Sequence, residues 1–184
     1  MKIRIKEAPQ LDPKAKDALD DLKGQMSALI GGIEDTLEDK TKQQKEGVLT
    51  VASIALATPA ILGLIARFGK AATNIINRTL GKKPTNQNDA EKYFQQMSRI
   101  ADELHNLYIK PLELVVKRFV KDPVKAKKIA HFVFHVIIAI MLLTSGITAV
   151  KALQSKELSL ATLETALTAV KGGEVKNYIT KLLA

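Results

Sequence analysis

His131 and His135 lie four residues apart within an apolar run, so a helix would place both imidazoles on one face. Such a pair could bind a metal ion or exchange protons. A metal ion needs a third ligand, and residues 129–150 contain no Asp, Glu or Cys. Packed, neutral imidazoles are the simplest interpretation, a pH-sensitive pair is the functional hypothesis, and a metal site is the least favoured.

A basic segment precedes this run. Residues 110–128 combine an apolar stripe, which includes Leu112 and Phe119, with basic flanks. This pattern is typical of an interfacial helix whose cations meet anionic headgroups. A solvated helix face and a nucleic-acid surface remain alternatives, although no nucleic-acid-binding motif is present. The predicted headgroup contacts are Lys117, Arg118, Lys121, Lys125, Lys127 and Lys128.

No pattern in the chain indicates an enzyme. Residues 63–71, GLIARFGKA, have the wrong glycine spacing for a phosphate loop, and Ala71 stands where Ser or Thr is required. The chain has no cysteine, which excludes disulfides, thiolate metal sites and cysteine nucleophiles. We find no Ser/His/Asp arrangement and no cofactor fingerprint. The sequence therefore predicts a protein without catalytic activity and without a cofactor.

Two long uncharged runs dominate the remaining sequence. Residues 47–66 contain no charged residue, and residues 129–150 contain none apart from the two histidines. A helix of about 20 residues spans about 30 Å of hydrocarbon. Basic residues flank both runs, and Pro59 is expected to kink the first. The sequence predicts two transmembrane helices, and the alternative is a soluble bundle that buries them, because a central helix can also be apolar on every side.

The composition agrees with a helical protein that meets polyanions. The chain has 184 residues, a formal net charge of +9, no Trp, and 4% aromatic residues. Its apolar residues are mostly aliphatic, which favours helices over an aromatic-rich sandwich. A basic excess of this size attracts anionic lipid or nucleic acid. We therefore predict an all-α helical membrane protein with two transmembrane helices and several amphipathic ones.

The chain divides into five predicted segments. Asp12 and Pro13 predict a helix start, and Gly31 and Gly32 would permit a bend or a close helix contact. Pro111 is expected to end one helix or begin another. The segments are an N-terminal arm and amphipathic helix at 1–46, a transmembrane helix at 47–66, a basic helical connection at 67–128, a second transmembrane helix at 129–150, and C-terminal amphipathic helices at 151–184.

The positions of the basic residues predict a topology for two inserted helices. Twelve Lys and Arg residues near the helix ends lie between the two runs, and five lie outside them. The positive-inside rule then places the middle segment in the cytoplasm and both termini across the membrane. This arrangement is a hairpin with antiparallel helices.

These observations lead to one functional hypothesis and two alternatives. The first is a basic membrane-inserting protein that anchors, scaffolds or permeabilises a bilayer, binds anionic headgroups and forms a homo-oligomer. The second is a structural oligomer, such as a viral particle component, that buries its apolar helices in a soluble assembly or virion. The third, which the sequence favours least, is a nucleic-acid binder.

Overall fold

The computed structural model describes residues 11–43, 50–147 and 160–184. These residues form helices joined by turns and contain no strand, which confirms the all-α prediction. Predictions for residues 1–10, 44–49 and 148–159, including the N-terminal arm and one end of each apolar run, lie outside the described residues. The helices are α1 (Pro13–Lys42), α2 (Val51–Thr79), α3 (Gln87–Phe119), α4 (Pro123–Thr144), α5 (Leu160–Gly172) and α6 (Val175–Leu183).

Local capping determines where the first and fourth helices begin. The Asp12 carboxylate accepts a hydrogen bond from the Ala15 backbone N–H at 2.8 Å, and Pro13 occupies the first helical position, as predicted. Asp122 caps α4 in the same way, and Pro123 follows it. Side-chain caps of this kind satisfy backbone donors that a helix leaves unpaired at its start.

Two helices continue through residues that could interrupt them. α1 continues through Gly31 and Gly32, and a Cβ at Gly32 would lie 3.2 Å from Leu64 of α2, so the close helix contact is the alternative that the structure supports here. α3 continues through Pro111, contrary to the prediction of a helix boundary there. Because Pro111 and Leu107 are both exposed, water can replace the hydrogen bond that the proline removes.

Contacts between distant residues establish the helix directions. α2 runs opposite to α1, α3 runs with α1, and α4 runs opposite to α3. α2 and α4 are therefore parallel to each other. The contacts are Gly32–Leu64 and Asp21–Arg78 for α1 and α2, Ser27–Tyr108 and Glu34–Arg118 for α1 and α3, and Glu113–His131 and Tyr93–Ser145 for α3 and α4.

α4 is the central helix of the bundle and packs against α2, α3, α5 and α6. Eight consecutive residues, 132–139, are buried, so no side of the helix in this stretch faces solvent. By length and composition both α2 and α4 could cross a membrane, a test that the core helix of a soluble protein also passes. Each of these helices contains an apolar 18-residue window. In α4, 72% of that window is buried, whereas in α2 only 39% is buried.

Gly69 allows α2 to approach α4 closely. A Cβ at this position would lie 2.7 Å from Cγ2 of Ile140, and the Thr144 hydroxyl lies 3.4 Å from the Gly69 carbonyl oxygen, to which it donates. Ala60 and Gly63, which precede Gly69 in α2, are exposed. The close contact between the two membrane-length helices therefore depends on Gly69, which lies beyond the uncharged run.

Alanine substitutions at two glycines of α2 should change stability in opposite directions. Gly63→Ala should stabilise the protein by up to about 1 kcal/mol, because alanine favours helix and its Cβ would meet nothing within 4 Å. Gly69→Ala should destabilise it by about 1–3 kcal/mol, because the new methyl group overlaps the Ile140 side chain. Urea denaturation of both variants measures the difference. Equal stabilisation by both changes would contradict the α2–α4 packing.

Candidate membrane-binding surface and histidine cluster

α1 and α3 end, and α2 and α4 begin, at the same end of the bundle. Leu37, Ile54, Phe119 and Ile129, one from each helix, line a single apolar cavity of about 30 Å³. We call this region, residues 35–42, 51–58 and 112–130, the basic end. It contains all six predicted headgroup contacts, namely Lys117, Arg118, Lys121, Lys125, Lys127 and Lys128.

Three of these six cations are held by the protein itself. Arg118 forms an ion pair with Glu34 of α1, and the Lys117 ammonium lies 3.9 Å from the Glu113 carboxylate. The Lys125 ammonium donates to the carbonyl oxygens of the last two residues, at 2.9 and 3.0 Å. These contacts tie the basic end to α1 and α6.

The other three cations point to solvent. Lys121, Lys127 and Lys128 are exposed, and none makes a hydrogen bond or ion pair with another described residue. Lys121 precedes the start of α4, and the other two lie in its first turns. Because no described carboxylate forms an ion pair with them, although Lys127 acts on Glu113 at longer range, they are the cations best placed to meet an external anion.

Exposed apolar side chains accompany these lysines. Among the described residues five large hydrophobic side chains are exposed, and four of them lie at the basic end. Leu114 is 65% exposed beside Lys117, and Val124 is 62% exposed beside Lys121. The other two, Val51 and Leu56, begin α2. Apolar side chains alternating with cations suit the boundary between lipid headgroups and acyl chains.

The outer face of α2 continues the apolar surface. This face carries no charge over its first four turns and becomes basic only at Arg67 and Lys70. A contiguous exposed apolar patch of this kind typically marks a contact with a membrane or another protein. Its exposed residues are Ala52, Leu56, Pro59, Ala60, Gly63 and Ala66.

All three histidines of the chain meet between α3 and α4. His105 of α3 lies between the two predicted histidines of α4, with ring centroids 6.2 Å from His131 and 6.1 Å from His135. Its ring also contacts Phe134 edge-on at 5.3 Å. Sequence analysis missed His105, although it lies four residues after Ala101 and next to Leu104, both of which are buried.

The two α4 histidines have different environments. The His131 Nε2 atom lies 2.6 Å from a Glu113 carboxylate oxygen, and its side chain is 32% exposed. His135 is only 2% exposed, and its Nδ1 atom is hydrogen-bonded to the His131 backbone carbonyl. The Nε2 atom of His135 is buried without a hydrogen-bond partner. One imidazole therefore has a compensating carboxylate, and the other has none.

Glu113 remains ionised in this cluster. Burial alone would raise its pKa, but the hydrogen bond and charge of His131, together with Lys117 and Lys127, outweigh burial and lower the pKa below its usual value. No group of three or more His, Cys, Asp or Glu residues within the described ranges is arranged to hold a metal ion. The cluster thus brings three imidazoles together, with the Glu113 carboxylate at its edge.

No protein-family model, curated protein or solved structure matches this chain.

Proposed function

We propose that this chain binds anionic membranes through its basic end and then inserts α4, which the closed bundle stores in its core. The observation that carries the proposal is that three features lie together at one end of the molecule. Exposed lysines, exposed Leu and Val side chains, and the first turns of both membrane-length helices all lie there. In this proposal the protein acts by anchoring to or permeabilising a bilayer, without catalysis.

The chemistry of the basic end favours a lipid surface as its partner. Each Lys near an anionic bilayer contributes about 1 kcal/mol of attraction. Leu114 and Val124 would gain further free energy by leaving water, about 1.5–3 kcal/mol each if fully buried. Phosphate contact alone, as in nucleic-acid binding, gives no role to exposed aliphatic side chains between the cations. A membrane interface accounts for both kinds of residue.

The length and charges of α4 suit insertion. Its 22 residues extend about 33 Å at 1.5 Å per residue, and the part after Lys128 extends about 24 Å, against about 30 Å of hydrocarbon core. Lys125, Lys127 and Lys128 lie in its first two turns, where they can remain among the headgroups while the apolar part enters lipid. Acyl chains would then replace the side chains of α2, α3, α5 and α6 around α4.

The bundle must open before two helices can span in the predicted hairpin. A hairpin requires antiparallel helices, whereas α2 and α4 are parallel in the closed bundle. If both helices crossed without changing direction, the segment that joins them would also have to cross the membrane. That segment includes the charged helix α3, which makes this route unfavourable. We therefore propose that α2 and α4 separate during insertion.

The exposed apolar face of α2 supports a second function, that of a structural oligomer. The exposed apolar face of α2 could pack against another copy of the chain, and a buried α4 is equally expected in a soluble assembly. This is the structural-oligomer alternative. It predicts a monodisperse, detergent-free oligomer that leaves vesicles intact.

Vesicle flotation and dye leakage test the proposed function. The full chain should float with vesicles containing phosphatidylserine, release their dye, and bind zwitterionic vesicles far more weakly. Raising the salt concentration should weaken binding, because screening shortens the range of the lysine charges. Light scattering after size-exclusion chromatography tests for the soluble oligomer. Salt-dependent retention of DNA tests for nucleic-acid binding. A stable oligomer that neither floats nor causes leakage, or binding to DNA alone, would refute the proposal.

A further inference from the structure

We infer that the histidine cluster between α3 and α4 is an acid-sensitive latch, in which protonation of His135 separates the two helices and frees α4. The inference rests on the proposed function for its effect on membranes. Its effect on the stability of the bundle can be measured without lipid. The cluster lies in the interface that must open if α4 is to leave the core.

The hydrogen bond of His135 shows which ring nitrogen carries its proton. The Nδ1 atom faces the His131 carbonyl oxygen, which can only accept, so Nδ1 holds the proton and donates. The Nε2 atom is then an acceptor, and it is buried without a partner. A second proton would create a cationic N–H group with no acceptor at a site that is 2% exposed. Such a group carries a large desolvation cost.

The charges around His135 do not offset that cost. The titratable groups that act on it electrostatically are His105 of α3 and His131 of its own helix, and both disfavour a positive charge on His135. Glu113 is the nearby anion, but its carboxylate is hydrogen-bonded to His131 and lies near Lys117 and Lys127. Asp102, one turn before His105, is the other buried carboxylate of α3. Both neighbouring imidazoles therefore oppose a second proton on His135.

Acid should destabilise the bundle through His135. An unfolded histidine takes up a proton near pH 6.5, whereas His135 in the bundle resists protonation. Its contribution to stability is therefore complete above that pH and decreases as the pH falls below it. His131 differs from His135 because its Nε2 atom lies 2.6 Å from a Glu113 carboxylate oxygen. The latch thus depends on His135, the imidazole without a carboxylate partner.

Urea denaturation of the full chain at pH 7.5 and pH 5.0, without lipid, tests the latch. His135 should raise the unfolding equilibrium constant as the pH falls below 6.5, by at most about tenfold per pH unit. His135→Met, which keeps the size and cannot titrate, should lose this response. His131→Gln, the matched control, should retain it. An unchanged pH response in His135→Met would overturn the inference.

A measurement on the unmodified chain covers the case in which His135→Met does not fold. Amide hydrogen exchange should accelerate in α3 and α4 at pH 5.0, after correction for the intrinsic pH dependence, and much less in α1. Uniform acceleration across all helices, or none, would contradict a latch at this interface.

Dye leakage at the same two pH values separates the latch from the proposed function. Faster leakage at pH 5.0, lost in His135→Met, supports both. Rapid leakage that is independent of pH refutes the latch and leaves the membrane function standing. An acid-dependent loss of stability without leakage at either pH supports the latch and refutes the membrane function.

Discussion

A disulfide between positions 69 and 140 should abolish vesicle leakage, and reducing it should restore leakage. The double variant Gly69→Cys and Ile140→Cys links α2 to α4 where they are closest. A Cβ at residue 69 would lie 2.7 Å from Cγ2 of Ile140, which places the two Cβ atoms near the separation of about 3.8 Å found in disulfides. The natural chain has no cysteine, so the variant can form only one intramolecular disulfide.

The expected effect is large because the link opposes the step that insertion requires. The disulfide closes a loop of about 70 residues, which should stabilise the closed bundle by about 4 kcal/mol. That free energy reduces the population of the unfolded chain by about three orders of magnitude, and the covalent link itself prevents α2 and α4 from separating. The link also holds α2 and α4 parallel, so an antiparallel hairpin cannot form while the disulfide is intact.

The same protein sample provides the control for this experiment. Leakage by the oxidised double variant is compared with leakage after reduction, and the wild-type chain receives the same oxidant and reductant. Binding to anionic vesicles should survive oxidation, because the basic end is unchanged. Undiminished leakage by the fully oxidised variant would show that α2 and α4 need not separate.

Local features of the fold were predictable from the sequence. The Asp12–Pro13 start of α1 and the all-α composition follow from capping, helix propensity and spacing, which act over a few residues. The two membrane-length helices were also visible, because hydropathy and length are local properties. The environment of these two helices was not predictable, because a helix surrounded by lipid and a helix surrounded by protein need the same apolar side chains.

The features that matter most for the site depend on contacts between distant residues. His105 joins His131 and His135 only because α3 packs against α4, and their separation in sequence gives no sign of it. The parallel directions of α2 and α4 likewise follow from packing. The charge-counting rule assumes helices already in a membrane, so it predicts a hairpin and cannot describe a closed bundle.

The basic segment shows the same division between local and distant effects. Its composition predicted a cationic surface with an apolar stripe, and the structure places all six predicted cations at one end. The segment is two helices, however, with a break at residues 120–122. Charge counting also could not show that Arg118 and Lys125 are engaged by Glu34 and the chain end. Those partners lie about 60–85 residues away in sequence.

Replacing the three unpaired lysines of the basic end by glutamine should greatly weaken binding to anionic vesicles. The triple variant Lys121→Gln, Lys127→Gln and Lys128→Gln loses about 1 kcal/mol of attraction at each position. The combined loss, about 3 kcal/mol, corresponds to a decrease of about 100-fold in the binding constant. Titration of the protein with phosphatidylserine vesicles in flotation, at a fixed salt concentration, measures the change.

A matched triple variant separates the position of the charges from their number. Lys14→Gln, Lys16→Gln and Lys82→Gln remove the same total charge from exposed residues at the opposite end of the bundle. Charges held more than one Debye length from the membrane, about 8 Å at physiological salt, are largely screened. The matched variant should therefore bind almost as well as the natural chain. If both variants lose affinity equally, the attraction comes from net charge, and the basic end is not the surface that meets the bilayer.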